Sequence, residues 1–181
     1  MAKRNTTVEK EYFFKMLQSP IGKPKLVASD AGLAGILWEK EKSGRVRLNI
    51  VGEDRTHPVL VETERQLNEY FAGKRKSFTL KLDFSGTDFQ KKVWQALLTI
   101  PYGDTRSYGE LAKQIGNRTA VRAVGAANGK NPIAIISPCH RVIGASGDLT
   151  GFAGGLKAKA YLLDLESKKK PRPEAARGIL R

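Results

Sequence analysis

The chain has 181 residues, 40% apolar and 28% charged, and its 32 Lys/Arg against 18 Asp/Glu give a net charge of +14. That length allows one substantial core or two small lobes, and no apolar run reaches the roughly 18 residues a membrane span needs. A single cysteine, Cys139, excludes an internal disulfide and favours a reducing compartment.

With only His57 and His140 to join Cys139, the usual four-ligand Cys/His set of a structural zinc site is missing, and no metal is expected. "MAKRNTTVEKEYFF" is basic but has no apolar stretch before a cleavage site, so no secretory signal is expected. The net charge is spread, at +5 over residues 1–85, +4 over 86–167 and +5 over 168–181. It implies a polyanionic partner without naming one.

In chain order, "EYFFKMLQ", "KPKLVASD" and "LAGILWE" are apolar runs separated by the turn signals "SPIG" and "DAG", and they predict a β-meander. From Pro58 the pattern is helical. Val59, Val61, Leu67, Tyr70 and Phe71 recur on one side, and Gly73 stops the helix. "SFTLKLDF" alternates as a strand does, and Gly86 marks a lobe boundary.

The second lobe is mainly helical. Phe89, Val93, Trp94, Leu97 and Leu98 fall at helical spacing, and "PYGDTR" is a turn. In "SYGELAKQIG", Ser107 and Glu110 form a capping box. Gly116 ends that helix, and Thr119 is placed to cap the next, "AVRAVGAAN"; together they predict a helix-turn-helix. "IAII" reads as a short buried strand leading to Pro138 and Cys139. A loop with five glycines, "GASGDLTGFAGG", and a last helix, "LKAKAYLLDLE", follow. Residues 168–181 read as a basic, mobile tail. The fold class is α/β (α+β), with an N-terminal β-rich lobe over 1–85 and a helical lobe over 86–167.

Two features carry chemistry. A reactive thiol needs a pKa below about 8.5, which takes a nearby cation or base, and His140 and Arg141 follow Cys139 directly. A histidine acting as base needs a third group to orient it; Asp148, Asp164 and Glu166 are the candidates. The second feature is the helix "TAVRAVGAAN". Val121, Val124, Gly125 and Asn128 share one side, and Thr119, Arg122, Ala123 and Ala126 share the other. A major-groove reader presents several long polar side chains to base edges. This face presents small residues and one arginine, which suits a close, sequence-independent approach to DNA. An Ala-rich packing helix is the alternative. A thiol beside such a helix pair suggests action on a modified base that is rotated out of the stack.

"PCHRVIG", preceded by "AVRAVGAANGKNPIAII" and followed by "GFAGGLKAKAYLLDLE", closely resembles the O6-alkylguanine-DNA alkyltransferase family. The close match runs from about Thr87 to Glu166, with weaker echoes in "SPIGKPKLVASDAGLAGILW" and "QLNEYFAGK". The resemblance implies a suicide repair protein that moves an alkyl group from guanine O6, and from thymine O4, in double-stranded DNA to its own cysteine, without a cofactor and as a monomer. It implies Cys139 as acceptor, His140 as base through a water, and Glu166 as the orienting acid. Tyr108 would help rotate the nucleotide and hydrogen-bond the departing guanine. Gly109, Asn117, Arg122 and Ala126 would join Tyr108 at the DNA, with Arg122 filling the gap in the stack. Asn131 would act as a structural hinge. Val142, Ala145, Phe152 and Ala153 would form the guanine pocket, where some members have Tyr-Ser in place of Phe152-Ala153. A cytoplasmic, nucleoid-associated location is implied for a prokaryotic source and a nuclear one for a eukaryotic source. The rival readings are a cysteine hydrolase, which would turn over, and a module that binds alkylated bases without repairing them.

Overall fold

The computed structural model describes residues 9–167; the basic tail expected over 168–181 lies outside them. Strands β1 (Tyr12–Met16), β2 (Lys25–Ser29) and β3 (Gly32–Leu37) form the expected antiparallel meander. A further strand, β4 (Ile50–Glu53), was not expected; it lies parallel to β1, so the sheet order is β3-β2-β1-β4.

Helix α1 (Pro58–Phe71) packs on β2 and β3. The His57 ring Nδ1 accepts from the Val59 backbone N–H and caps it, and Pro58 takes the first position, where a backbone donor is dispensable. Its buried side holds Leu60, Thr63, Gln66, Leu67 and Tyr70. Val61, expected among them, is exposed, because the apolar stripe runs through 60, 63 and 67. The segment "SFTLKLDF" is not a strand of the sheet. It makes one bridge, Leu33 to Leu82, and is tied to β3 by Leu33 N–H to Lys81 O and Asp83 N–H to Leu33 O. Gly32 is required at that junction. Its φ is +150°, and a Cβ there would lie 2.5 Å from the Lys81 carbonyl oxygen.

Helices α2 (Asp88–Leu97), α3 (Tyr108–Gln114) and α4 (Val121–Gly129) pack on one another. Leu98, expected inside α2, lies just past its end and is exposed. The capping box of α3 is present: Ser107 Oγ accepts from Glu110 N–H at 3.1 Å, and Glu110 Oε2 accepts from Ser107 N–H at 2.7 Å. Gly116 then turns the chain at φ +80°. Thr119 does not cap α4; its hydroxyl donates to Asn117 Oδ1, and Ala120 takes the cap position without a side-chain bond.

"IAII" is a buried turn, not a strand. Ile133 bridges to Ile36 of β3, and Ile135 sits at φ +72°, a conformation β-branched residues rarely adopt. Ile36 N–H to Pro132 O at 2.8 Å and Ser137 N–H to Ile133 O at 2.9 Å hold it there. Cys139–Arg141 form a 3-10 turn, followed by β6 (Val142–Ile143), which pairs with β5 (Arg106–Ser107), and then α5 (Leu156–Leu165). One core runs across both halves of the chain, from Leu17, Leu26 and Ile36 through Trp94 and Ile133 to Leu162. No helix among the described residues is long and apolar enough to cross a membrane.

Candidate active site

The 3-10 turn places three consecutive side chains in two surroundings. Cys139 is free and buried, and it lines a cavity of about 320 Å³ together with Tyr108, Gly125, Asn128, Asn131 and Phe152. His140 and Arg141 turn into the protein and meet Glu166 at the C-terminus of α5. His140 Nε2 lies 2.8 Å from Glu166 Oε1; Arg141 Nε donates to Oε2 and its NH2 to Oε1, each at 2.8 Å. Tyr70 O–H from α1 donates to Oε1 at 2.7 Å, and Arg141 NH1 caps the Ile100 carbonyl at 2.6 Å.

Glu166 is therefore the acid beside His140. Asp148 accepts from Ser146 Oγ in an exposed loop, and Asp164 is exposed. The buried stripe of α5, Ala158, Lys159 and Leu162, points the same way as Glu166. Burial alone would raise the Glu166 pKa, but hydrogen bonds from His140 and Arg141 outweigh it and hold the carboxyl at about 2. An ionised Glu166 only accepts, so Nε2 of His140 must carry the proton. The other ring nitrogen, Nδ1, is then a bare acceptor; it is buried with no hydrogen-bond partner among the described residues. Burial holds the His140 pKa below its ordinary value, with Glu166 opposing, which favours the neutral ring.

The thiol differs from expectation. Burial pushes the Cys139 pKa up, partly countered by hydrogen bonding with Asn131 and by the charges of Arg45 and Lys159. Arg141, its sequence neighbour, points away to Glu166 and is not the cation beside it. Burial therefore favours the protonated thiol at rest.

The cavity walls come from five segments, namely Arg45 between β3 and β4, α3, α4, the turn that ends at Cys139 and the glycine-rich loop. Asn131 is buried; its Nδ2 donates to Ser137 O at 2.7 Å and its Oδ1 accepts from Ile133 N–H at 3.1 Å, bracketing the turn before Cys139. Tyr108, the first residue of α3, shares a 2.6 Å hydrogen bond with Thr150 Oγ1, and its ring lies against Gly125 of α4. Phe152 and Ala153 line the cavity as expected residues of the glycine-rich loop, but Val142 and Ala145 do not. Val142 is buried with its carbonyl accepting from Lys159 Nζ at 2.6 Å, and Ala145 is an exposed turn residue.

Arg122 and Ala126 lie exposed on α4, and Gly109 and Asn117 are exposed on and after α3. Val121, expected on the inner side, is exposed as well. His57 sits at the start of α1 beside Asp30, and no group of three metal-ligating side chains occurs among the described residues.

Three residues here, Lys159, Tyr70 and Arg45, carried no sequence assignment of function, and Arg141 was read as a cation beside the thiol. Lys159, fully buried, also donates to Thr150 O at 2.9 Å and so ties the glycine-rich loop to β6. Its signal was present: a lysine in the 158–162–166 stripe of an amphipathic helix. Tyr70 read as core, and Arg141 as a neighbour of the thiol. Arg45 arrives from residues between β3 and β4 and carried no local signal.

Residues 12–84 match the family described as 6-O-methylguanine DNA methyltransferase, ribonuclease-like domain, and residues 88–168 match its DNA binding domain. A methylated-DNA–protein-cysteine methyltransferase of Mycobacterium tuberculosis is 49% identical over 158 residues, covering 87% of this chain and 94% of the relative. One from Methanosarcina acetivorans is 50% identical over 155 residues, covering 85% and 97%. The crystal structure of Mycobacterium tuberculosis OGT in complex with DNA has a TM-score of 0.77 at 49% identity, covering 86% of this chain and 92% of that one. With the buried thiol, its histidine and the helix pair in place along the same residues, the chain belongs to the O6-alkylguanine-DNA alkyltransferase family.

Proposed function

We propose that this protein repairs double-stranded DNA by moving an alkyl group from guanine O6, and from thymine O4, to Cys139. The observation that carries the reading is a free thiol lining a cavity of about 320 Å³ beside a helix whose exposed residues, among them Arg122, Ala123 and Ala126, include a single long polar side chain. The cavity lies within the range of small-ligand pockets, and the helix face is small enough to approach a duplex closely. The target nucleotide leaves the stack and enters the cavity, with Tyr108 guiding it and Arg122 filling the gap.

In the transfer, His140 Nδ1 takes the thiol proton through a water. The sulfur then attacks the alkyl carbon, the carbon–oxygen bond breaks, and its electron pair leaves with the guanine, which Tyr108 hydrogen-bonds. Glu166 holds the imidazole orientation and stabilises its cation, and Asn131 fixes the turn that carries the thiol. A thioether is a poor leaving group, so the protein is consumed. It acts as a monomer without a cofactor, and its bacterial and archaeal relatives support a cytoplasmic site of action. The two regions, 1–85 and 86–167, work as one unit, the first bracing the site and the second holding the chemistry.

Duplex DNA labelled at the O6-methyl group should leave its label on the peptide containing Cys139. Arg122→Ala should slow transfer from duplex DNA at least about tenfold while leaving attack on free O6-alkylguanine nearly unchanged, since its role is to hold the gap in the stack. An equal loss on both substrates would show Arg122 to be a folding residue. Binding should weaken with salt and vary little with flanking sequence.

A further inference from the structure

The segment between β3 and β4 has no regular structure, yet Arg45 lines the cavity, Trp38 packs on the lining residue Phe152, and Glu41 bonds to both Arg45 and Trp38. One oxygen of Glu41 accepts from the Trp38 backbone N–H at 2.9 Å, and the other pairs with Arg45 Nε. Arg45 NH1 in turn donates to the carbonyls of Asn131, at 2.9 Å, and Gly129, at 3.2 Å. Gly129 is the last residue of α4, Asn131 brackets the turn before the thiol, and both line the cavity. The Trp38 ring meets Phe152, another residue of the cavity wall, edge-on, with centroids 5.5 Å apart. Gly154 sits so close beneath the indole that a Cβ there would lie 2.9 Å from it.

Arg45 is the informative member. Its side chain is 9% exposed, and it lines the same cavity as Cys139. Its NH2 nitrogen is buried with no hydrogen-bond partner among the described residues. Leaving a buried charged donor unmet is costly, and a native fold that keeps one calls for an explanation at that spot. The thiol in this cavity must pass through an anion, and a fixed cation in a poorly solvated pocket favours that anion strongly. Its charge counters the effect of burial on the thiol.

We propose that Arg45, held by Glu41, is a positioning residue of the acceptor site, fixing the wall formed by Gly129 and Asn131 and supplying a positive charge to the Cys139 thiolate. Its consequence for repair rests on the alkyl-transfer reading, whereas its effect on the thiol does not.

The test uses the full chain and three variants, Arg45→Met, Arg45→Lys and Glu41→Gln. The rate of Cys139 alkylation by iodoacetamide from pH 6 to 10, without DNA, is compared with single-turnover transfer from an O6-methylguanine duplex and with thermal melting. Arg45→Met should move the midpoint of the iodoacetamide reaction up by about one pH unit and slow transfer from DNA about ten- to a hundredfold. Arg45→Lys keeps the charge and loses the grip on two carbonyls; it should restore most of the midpoint and only part of the transfer rate. An unmoved midpoint in Arg45→Met, with a lower melting temperature, would overturn the proposal and leave Arg45 a packing residue. Should Arg45→Met fail to fold, Glu41→Gln decides: it should slow transfer severalfold, and an unchanged rate overturns the proposal. Failure of the wild-type chain to take methyl from DNA would refute the repair reading, while the iodoacetamide midpoints would still decide the role of Arg45.

Discussion

Glu166→Gln should cost about 3–5 kcal/mol of stability at neutral pH, the usual loss when one partner of a buried charge pair is removed. Its carboxylate accepts from Tyr70, His140 and both Nε and NH2 of Arg141, and it is 1% exposed. Glutamine keeps one acceptor oxygen and leaves the Arg141 guanidinium without a countercharge. For a chain of this length the loss corresponds to a fall in melting temperature of roughly 10 °C. The effect should depend on pH. The folded-state pKa is lowered from 4.5 to about 2, so the stabilisation is complete above about pH 4.5 and is lost as pH falls through about 2. The gap between the wild-type and Glu166→Gln melting temperatures should therefore be large at pH 7 and shrink by pH 3. Equal melting temperatures at pH 7 would show the cluster to contribute nothing. This is a larger structural role than orienting a histidine requires, and it predicts that Glu166 variants lose folding before they lose chemistry.

His140→Gln should act on the chemistry. Glutamine retains a donor for Glu166 but cannot take the thiol proton, and general-base assistance is worth about 10²–10⁴-fold. The transfer rate at pH 7 should fall by that order with binding of unmodified duplex unchanged. In the wild type the rate should be flat around neutral pH, because burial keeps the His140 pKa low and favours the neutral ring. In the variant the rate should climb through the alkaline range. The climb should extend above the roughly 8.5 of an exposed cysteine, since burial raises the Cys139 pKa. A variant that melts lower while keeping the wild-type pH profile would make His140 a packing residue.

Where structure follows from local chemistry, the sequence was readable. The Ser107–Glu110 capping box, the stops at Gly73 and Gly116, and the first three strands each rest on residues within a few positions of one another. Where structure depends on a distant partner, it was not. β4 is four residues long and exists through pairing with β1, nearly forty positions earlier. "IAII" has the composition of a strand, but the bridge between Ile133 and Ile36 and the bonds to Asn131 fold it into a turn with Ile135 at positive φ.

The site divides in the same way. Cys139 and His140 stand together in the sequence, and the buried stripe of α5 in principle separates Glu166 from Asp148 and Asp164. Tyr70 and Arg45 reach the site from the other half of the chain, and neither is marked by its neighbours. Val142, Ala145, Phe152 and Ala153 were all assigned to the pocket through family likeness, and the cavity is lined by Phe152 and Ala153 but not by Val142 or Ala145.

Cys139 should accept an alkyl group once and only once. The protein is incubated with a several-fold excess of O6-methylguanine duplex, its intact mass is measured and the restored guanines are counted. Every molecule should gain the mass of one methyl group in place of the thiol proton, restored guanines should match protein one for one, and Cys139→Ser should gain none. Restoration of more guanines than there are protein molecules, or a full yield without any gain in protein mass, would contradict a single transfer to Cys139.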